Sequence, residues 1–259
     1  MYRIYWTLQK IIAPSLRYSQ YEYREVLDNC IQRSCRWLDL GCGHELFGRW
    51  MLEQERELVN RCLHAVGVDL DFVQMKSHRT IRDLVAADAQ RLPFIDRYFD
   101  VVTANMVVEH LTKPLDVLAE IQRVLRPCGL FIFHTPNRIA PSIRLARHMP
   151  YAVNRKIAHI LENRPAEDVY PTYYRLNDVV CVQQMALASG FDVLDLRQIN
   201  SSAVTAALGP LAIPELLYLR VISSERFRHL RTNIIAVLRK PDASRSEAQE
   251  SLVRRDTPR

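Results

Sequence analysis

The sequence lacks the cysteine patterns that predict a metal site or a redox pair. Its six cysteines include no Cys-x-x-Cys pair and no spacing typical of zinc ligands. It also lacks a dense run of lysine and arginine, although the net charge is +6. We therefore expect reduced thiols, no bound metal and no nucleic-acid partner, with the positive charge spread over a solvated surface.

Clear targeting and membrane-spanning patterns are also missing. The N-terminal residues mix Arg3, Lys10 and Pro14 into apolar neighbours and lack the uniform hydrophobic region of a secretion signal, which predicts a cytoplasmic protein. The most apolar stretch, residues 203–222, has the length of a membrane span. Five residues that such a helix rarely tolerates interrupt it: Gly209, Pro210, Pro214, Glu215 and Arg220. We therefore interpret the stretch as a helical cap.

Basic residues follow this apolar stretch. They are Arg226, Arg228 and Arg231. Two alternatives stay open for the segment: ordinary packing against the core, which is the commoner case, and peripheral contact with a membrane surface.

The sequence does contain an alternation of short apolar runs with helical periodicity. Seven runs are predicted to be strands: 36–41, 64–69, 85–88, 99–105, 130–134, 191–196 and 233–238. Helices are predicted between them, at 45–60, 72–84, 114–125 and 176–189. Such alternation favours right-handed crossovers. The prediction is an α/β fold, a Rossmann-like seven-stranded and mostly parallel sheet with helices on both faces.

The other segments are predicted to surround this domain, which spans residues 36–240. A leading helical segment occupies residues 1–35. Helical insertions at about 138–175 and 200–230 form a cap over the sheet. The polar and charged residues 241–259 are predicted to be a disordered tail.

The strongest local signal is LDLGCG at residues 38–43, where the first strand meets the first helix. Ligands of doubly wound sheets bind at the carboxyl ends of the strands, and glycine lets the backbone approach them closely. A dinucleotide site would have Gly or Ala three residues after Gly43, but Leu46 stands there. Asp39 would oppose a phosphate and suits an ammonium group. A nucleoside that carries an amino acid therefore fits better than NAD.

Two further acids end the next two predicted strands. Asp69 can accept hydrogen bonds from both hydroxyls of a ribose. Asp88 can accept the exocyclic amine of adenine, while a neighbouring backbone N–H reaches a ring nitrogen. Together with Asp39 these acids line one crevice. They are complementary, in order, to an ammonium, a ribose diol and an adenine.

These motifs resemble the class I methyltransferases, a group that includes the ubiquinone- and menaquinone-pathway enzymes. The matching segments are WLDLGCG (37–43), GVDLD (67–71), AADAQRLPFIDRYFDVVTANMVVEHL (86–111) and EIQRVLRPCGLFIFHTPN (120–137). The resemblance implies S-adenosyl-L-methionine as cofactor. It implies methyl transfer, by family analogy to an oxygen, on a small-molecule or lipid-like acceptor.

The resemblance also assigns cofactor-binding residues. Asp39, Gly41 and Gly43 would hold the methionine part, Asp69 beside Leu70 the ribose, Asp88 with Ala89 the adenine, and Asn105 would lie near the reactive methyl group. One departure concerns Glu45, which stands where relatives usually have glycine and adds negative charge. It leaves a second interpretation open, a catalytically inactive methyltransferase-like binding module.

Residues for catalysis and acceptor binding are weaker predictions. Methyl transfer from a sulfonium depends mainly on holding nucleophile and methyl in line, so a base is needed only for an acceptor that keeps its proton. His110, next to Glu109, is the candidate catalytic base, although packing in its loop is an alternative. Tyr173, Tyr174 and Arg175 are the candidates for binding the acceptor or closing the site, with ordinary packing of the tyrosines at the domain edge as the alternative.

Overall fold

The computed structural model describes residues 2–149, 170–201 and 204–242. Seven strands form one sheet: β1 Arg36–Leu40, β2 His64–Asp69, β3 Asp83–Ala86, β4 Phe99–Asn105, β5 Leu125–Pro136, β6 Asp192–Ile199 and β7 Asn233–Arg239. Their order is β3-β2-β1-β4-β5-β7-β6, and only β7 runs antiparallel to its neighbours. The predicted Rossmann-like, mostly parallel sheet is confirmed.

Eight α-helices surround this sheet within the described ranges. They are α1 Tyr2–Ile12, α2 Ser19–Cys30, α3 Leu52–Arg61, α4 Phe72–Met75, α5 Pro114–Val124, α6 Pro141–His148, α7 Val179–Ala188 and α8 Ile213–Ile222. Short 3₁₀ helices occupy Arg49–Met51, Val108–His110, Val204–Ala212 and Glu225–Leu230. No helix in the described ranges is long and apolar enough to cross a membrane.

The region after β2 departs from the sequence prediction. The helix predicted over 72–84 ends at Met75, and the third strand lies at Asp83–Ala86, two residues earlier than predicted. The strand position follows from pairing, because Val66 to Asp69 of β2 lie opposite Asp83 to Ala86 in parallel register. Asp88 therefore follows the strand by two residues and is not its last residue.

The helix predicted from Glu45 also starts later, at Leu52 after a 3₁₀ turn. The carboxylate of Glu55 accepts hydrogen bonds from the backbone N–H groups of Leu46 and Phe47, at 3.1 Å each. Those N–H groups are held by a side chain from the following helix, which keeps residues 41–48 as a loop.

Apolar side chains cover both faces of the sheet. On one face α5 and α7 bury Val117, Leu118, Ile121 and Val182 against strand residues such as Phe131. On the other face α2 and α3 bury Tyr23, Leu27 and Leu58 with Trp37. Burying each such side chain contributes roughly 1.5–3 kcal/mol. This double covering is the reason that β1 and β4 are buried along almost their whole length.

A third cluster lies outside the sheet. Residues 2–17, with α1, pack on residues 204–231, with α8, around Tyr5, Ala13, Leu16, Leu216 and Leu219. We call these two ranges the helical unit. Of the predicted insertion at 138–175, α6 and residues 170–175 are described, whereas 150–169 lie outside the described residues, as do 243–259 of the predicted tail.

Candidate active site

The carboxyl ends of β1, β2, β4 and β5 meet at one edge of the sheet and bring the predicted cofactor residues together. Asp39 lies near the end of β1, Asp69 ends β2 and Asn105 ends β4. Parallel pairing fixes this arrangement, since Asp39 lies opposite Gly67 of β2 and Thr103 of β4. The strand order reverses beside β1, since β2 and β3 lie on one side of it and β4 and β5 on the other. The crevice forms at this reversal, which is the usual ligand position in this architecture.

The turn after β1 requires glycine at position 41. Gly41 has φ +65°, and a Cβ there would lie 2.4 Å from Cγ2 of Val107. Both the left-handed backbone and the close approach exclude a side chain. Gly43 also has positive φ, +49°, and its N–H donates to Oδ2 of Asp69 at 2.9 Å. The turn is therefore tied to the end of β2.

Asp69 organises the loop on the other side of the crevice. Its Oδ1 accepts from the N–H of Asp71 at 2.9 Å, and Asp71 in turn caps α4 through the N–H groups of Val73 and Gln74. Each carboxylate oxygen of Asp69 accepts one hydrogen bond and retains a second lone pair. Acceptor capacity for a ribose diol is therefore left on this half-buried side chain.

Asp39 is a buried acid at the floor of the crevice, 2% exposed. Its Oδ1 accepts a hydrogen bond from the hydroxyl of Thr103 at 2.6 Å. The Thr103 hydroxyl oxygen in turn accepts from Nε1 of Trp37 at 2.7 Å. The pKa of Asp39 is raised to about 7, mainly because the carboxyl is buried; the hydrogen bond from Thr103 opposes this rise, and the nearby Glu55 and Asp69 add to it. A cationic group beside Asp39 would offset the cost of its buried charge, so the site fits an ammonium.

Glu45 does not place an unpaired charge at the turn. Its carboxylate pairs with Arg79 at 2.5 Å, and the backbone N–H of Arg79 donates to the carbonyl of His44 at 3.2 Å. The acid that departs from the family pattern is thus neutralised by a neighbouring arginine. Sequence reasoning missed both Arg79 and Glu55, which together hold residues 44–47; a buried glutamate on α3 has no motif of its own.

The predicted adenine residues lie at the next strand end, with fewer contacts. Asp88 is exposed, and its Oδ1 accepts from the N–H of Gln90 at 2.8 Å. Ala89 lines a small cavity with only apolar residues around it, among them Val107 and Leu111. Leu70 is 75% exposed at the outer rim.

Asn105 joins four elements at the other end of the crevice. Its Nδ2 donates to the carbonyl of Leu46 at 2.7 Å and to Oε1 of Gln20 at 3.0 Å, and its Oδ1 accepts from Nδ1 of His134 at 2.9 Å. Asn105 therefore positions residues 41–48 (the β1 loop), α2 and β5 relative to one another. Gln20 was not identified from sequence, because a glutamine in the first turn of a leading helix carries no recognisable signal.

His134 is a core residue of this network. It is 1% exposed, stacks on Tyr23 with ring centroids 5.4 Å apart, and its Nε2 accepts from Nδ2 of Asn233 at 3.1 Å. Burial lowers the pKa of His134 to about 3. Its imidazole is thus neutral, and both ring nitrogens are engaged.

His110 lies beside a segment that crosses the edge of the crevice. Its Nδ1 donates to the carbonyl of Pro171 at 2.8 Å, and its Nε2 is 4.0 Å from the buried carboxylate of Glu109. Next to it, the Tyr170 hydroxyl donates to Asp71 at 3.2 Å and accepts from Gln74 at 3.0 Å. Tyr170, which sequence reasoning did not select, thus links this segment to the loop after β2.

The three predicted acceptor residues follow along the same segment. The N–H groups of Tyr173 and Tyr174 both donate to the carbonyl of Glu109, at 2.7 and 3.1 Å. Arg175 donates to the carbonyl of Thr112 at 2.5 Å and lies 5.9 Å from the Tyr173 ring. Tyr174 has φ +52°, a strained conformation for a tyrosine. These residues fix the segment against the 3₁₀ turn that carries His110.

Comparisons with known proteins agree with this geometry. A family model described as "Methyltransferase domain" matches residues 38–133. A fatty-acid O-methyltransferase of Mycolicibacterium smegmatis is 32% identical over 118 residues, 45% of this chain and 43% of that protein. A malonyl-[acyl-carrier protein] O-methyltransferase of Legionella pneumophila is 29% identical over 140 residues, 52% of this chain and 46% of that protein. The chain spans less than half the length of these curated relatives.

Solved structures show the same fold at low sequence identity. The [4+2]-cyclase SpnF superposes with a TM-score of 0.54 at 22% identity, covering 86% of this chain and 81% of that chain. Geranyl diphosphate C-methyltransferase from Streptomyces coelicolor A3(2), crystallised with S-adenosyl-L-homocysteine, gives 0.54 at 12% identity, covering 85% and 79%. Residues 38–133 therefore form a methyltransferase domain, and the sheet that contains them has the fold of the class I S-adenosylmethionine-dependent methyltransferases.

Proposed function

We propose that this chain transfers a methyl group from S-adenosylmethionine to an oxygen of a small or lipid-like acceptor. The observation that carries the proposal is the convergence of Asp39, Asp69 and the Gly41 turn at adjacent strand ends, with Glu45 paired to Arg79. A crevice with a buried acid, an acid at the end of β2 and a glycine turn is suited to an amino-acid-bearing nucleoside.

Each of these residues would bind a different part of the cofactor. Asp39 would face the ammonium, the turn at Gly41 and Gly43 the rest of the methionine part, and Asp69 the ribose. Asp88 would take the adenine amine, with Ala89 beside it. When bound, the cofactor supplies an electrophilic methyl group on a sulfonium. The protein's contribution is to hold the acceptor oxygen in line with that methyl in a site from which water is excluded.

A carboxylate is the proposed acceptor group, because His134, the buried histidine at the crevice, cannot act as a base. His134 is neutral, buried and bonded at both ring nitrogens, so it cannot take a proton without breaking the network. A carboxylate is already ionised at neutral pH and needs no base. One of the relatives is named a fatty-acid O-methyltransferase, and a fatty acid offers a carboxylate as the acceptor. For an acceptor with a hydroxyl, His110 is the proposed base, with Tyr173, Tyr174 and Arg175 as acceptor contacts.

Calorimetric titration with S-adenosylmethionine, S-adenosylhomocysteine and, as a negative control, NADH tests the cofactor assignment. We expect binding of both adenosyl ligands and none of NADH. Asp69→Asn should weaken the binding by about tenfold or more, as the loss of a charged hydrogen-bond acceptor implies. The matched control is Asp116→Asn, which changes an exposed acid on α5.

Turnover with labelled S-adenosylmethionine then separates the acceptor classes. Methyl ester formation on medium- or long-chain fatty acids, unaffected by His110→Gln, supports a carboxylate acceptor. Turnover of phenols that His110→Gln abolishes would move the assignment to a hydroxyl acceptor. A folded protein that binds neither adenosyl ligand would overturn the proposal and leave the inactive binding module.

A further inference from the structure

The helical unit presents an apolar outer surface in addition to its own core. Six of its apolar side chains are between 47% and 71% exposed: Ile4, Trp6, Ile11, Leu211, Leu217 and Val221. Ile4 and Ile11 lie two turns apart on one face of α1, and Leu217 and Val221 one turn apart on α8. The Arg220 guanidinium donates to the carbonyl of Ile12 at 3.0 Å, which joins the two helices.

The same unit holds most of the chain's excess positive charge. Residues 2–17 contain three basic residues and no acid, and residues 204–231 contain four basic residues and two acids. The two ranges therefore carry five of the net six positive charges of the sequence. Both acids are engaged, Glu215 by Thr205 and Glu225 by Arg231. Among the described residues, no acid lies within ion-pair distance of Arg3, Lys10 or Arg228.

The unit stands at the same edge of the sheet as the crevice. Its second range connects β6 to β7, and the last residue of β6, Ile199, lies opposite Asn233, which also lies opposite Pro136 at the end of β5. Its first range leads directly into α2, whose first turn carries Gln20 against Asn105. A surface bound to the helical unit would therefore lie next to the mouth of the crevice.

We propose that the helical unit docks on an anionic phospholipid surface. Amphipathic helices with apolar residues on one side and flanking cations lie in the interface plane, where tryptophan is favoured and each nearby basic residue adds to the attraction. Charge complementarity selects this occupant over a second copy of the chain, because two copies would bring two cationic surfaces together. The inference does not depend on methyl transfer.

Co-sedimentation with vesicles measures docking directly. Phosphatidylcholine vesicles containing a minor fraction of phosphatidylglycerol should bring the protein down at low ionic strength. Pure phosphatidylcholine vesicles, or high salt, should release most of it. Lys10→Glu should lower the partition coefficient about fivefold or more, and Ile11→Ser/Leu217→Ser should lower it to a similar extent. All three side chains are exposed, so the core of the unit stays intact.

Matched controls lie at the opposite edge of the sheet. Ile95 is 71% exposed before β4, and Arg33 is exposed in the turn before β1, so Ile95→Ser and Arg33→Glu make the same chemical changes elsewhere. Both controls should bind vesicles like the unchanged protein. Equal losses in the controls, or no sedimentation with anionic vesicles, would overturn the proposal. So would a dimer in sedimentation velocity that Ile11→Ser/Leu217→Ser dissociates, since it would assign the surface to a second copy.

Discussion

At the scale of single residues, several features of the crevice cost free energy of folding. Asp39 is a carboxylate buried with one side-chain hydrogen bond, Gly41 holds a left-handed turn against Val107, and Met106 and Tyr174 have positive φ without being glycine. Such features persist only where the surrounding structure determines them, and they are typical of binding sites. The cost at Asp39 is the one that can be measured most directly.

Asp39→Asn is expected to stabilise the free protein and to weaken cofactor binding. The pKa of Asp39 rises from 3.8 to about 7 on folding, so the folded state binds a proton more tightly than the unfolded state. Stability contributed by this group is therefore present below about pH 4 and is lost as the pH rises to about 7. The asparagine variant does not ionise and avoids that loss, which is on the order of a few kcal/mol.

Chemical denaturation at several pH values, with and without S-adenosylhomocysteine, checks this expectation. The stability difference between Asp39→Asn and the unchanged protein should grow between about pH 4 and 7 and then level off. The variant should gain less stability from the ligand. A variant that is less stable than the unchanged protein at pH 7 would contradict a raised pKa at Asp39.

At the scale of elements, side chains from one element hold the loops of another. Glu55 of α3 accepts from Leu46 and Phe47, and Asn105 at the end of β4 holds the Leu46 carbonyl. The β1 loop is therefore restrained from two directions, although it contains no regular structure. This arrangement prepares the crevice before any ligand binds.

Glu55→Gln is expected to loosen this loop without unfolding the sheet. A neutral amide is a weaker acceptor than a carboxylate, so the amides of Leu46 and Phe47 should exchange with solvent about tenfold faster or more. Site-resolved hydrogen exchange measures this. The control is Glu53→Gln on the same helix, where the exposed acid pairs with Arg56. Unchanged protection at both amides would show that the contact of Asn105 suffices.

At the scale of the whole molecule, the described residues form two packed regions, the sheet domain and the helical unit. The sheet and its covering helices share large apolar clusters, whereas the helical unit has a smaller cluster of its own. Elements with fewer buried contacts open at lower free energy than the main core. The helical unit is therefore expected to open independently.

The matched substitutions Leu118→Ala and Leu219→Ala test this division, because both leucines are 1% exposed. Each should cost about 2–5 kcal/mol where it acts. Leu118→Ala should reduce the protection of amides in β4 and β5, which report global unfolding. Leu219→Ala should reduce protection in α1 and α8 and leave the sheet amides nearly unchanged. Equal effects on the sheet would show one cooperative body.

The sequence by itself determined the order of strands and helices along the chain, the mostly parallel sheet, and the positions of Asp39 and Asp69 at adjacent strand ends. The periodicity of apolar residues, the glycines at turns and the short apolar runs typical of strands covered on both faces are local properties of the sequence. It misplaced the β3 region and began α3 too early, because register and long-range acceptors such as Glu55 override local helical periodicity.

Only the tertiary structure decided what surrounds each predicted residue. It paired Glu45 with Arg79, engaged both nitrogens of His134, made Asn105 a junction and brought Gln20 and Tyr170 to the crevice. It also joined residues 2–17 with 204–231 into one cationic, apolar surface. These contacts link positions far apart in the chain, and their partners are fixed by packing, which no local pattern encodes.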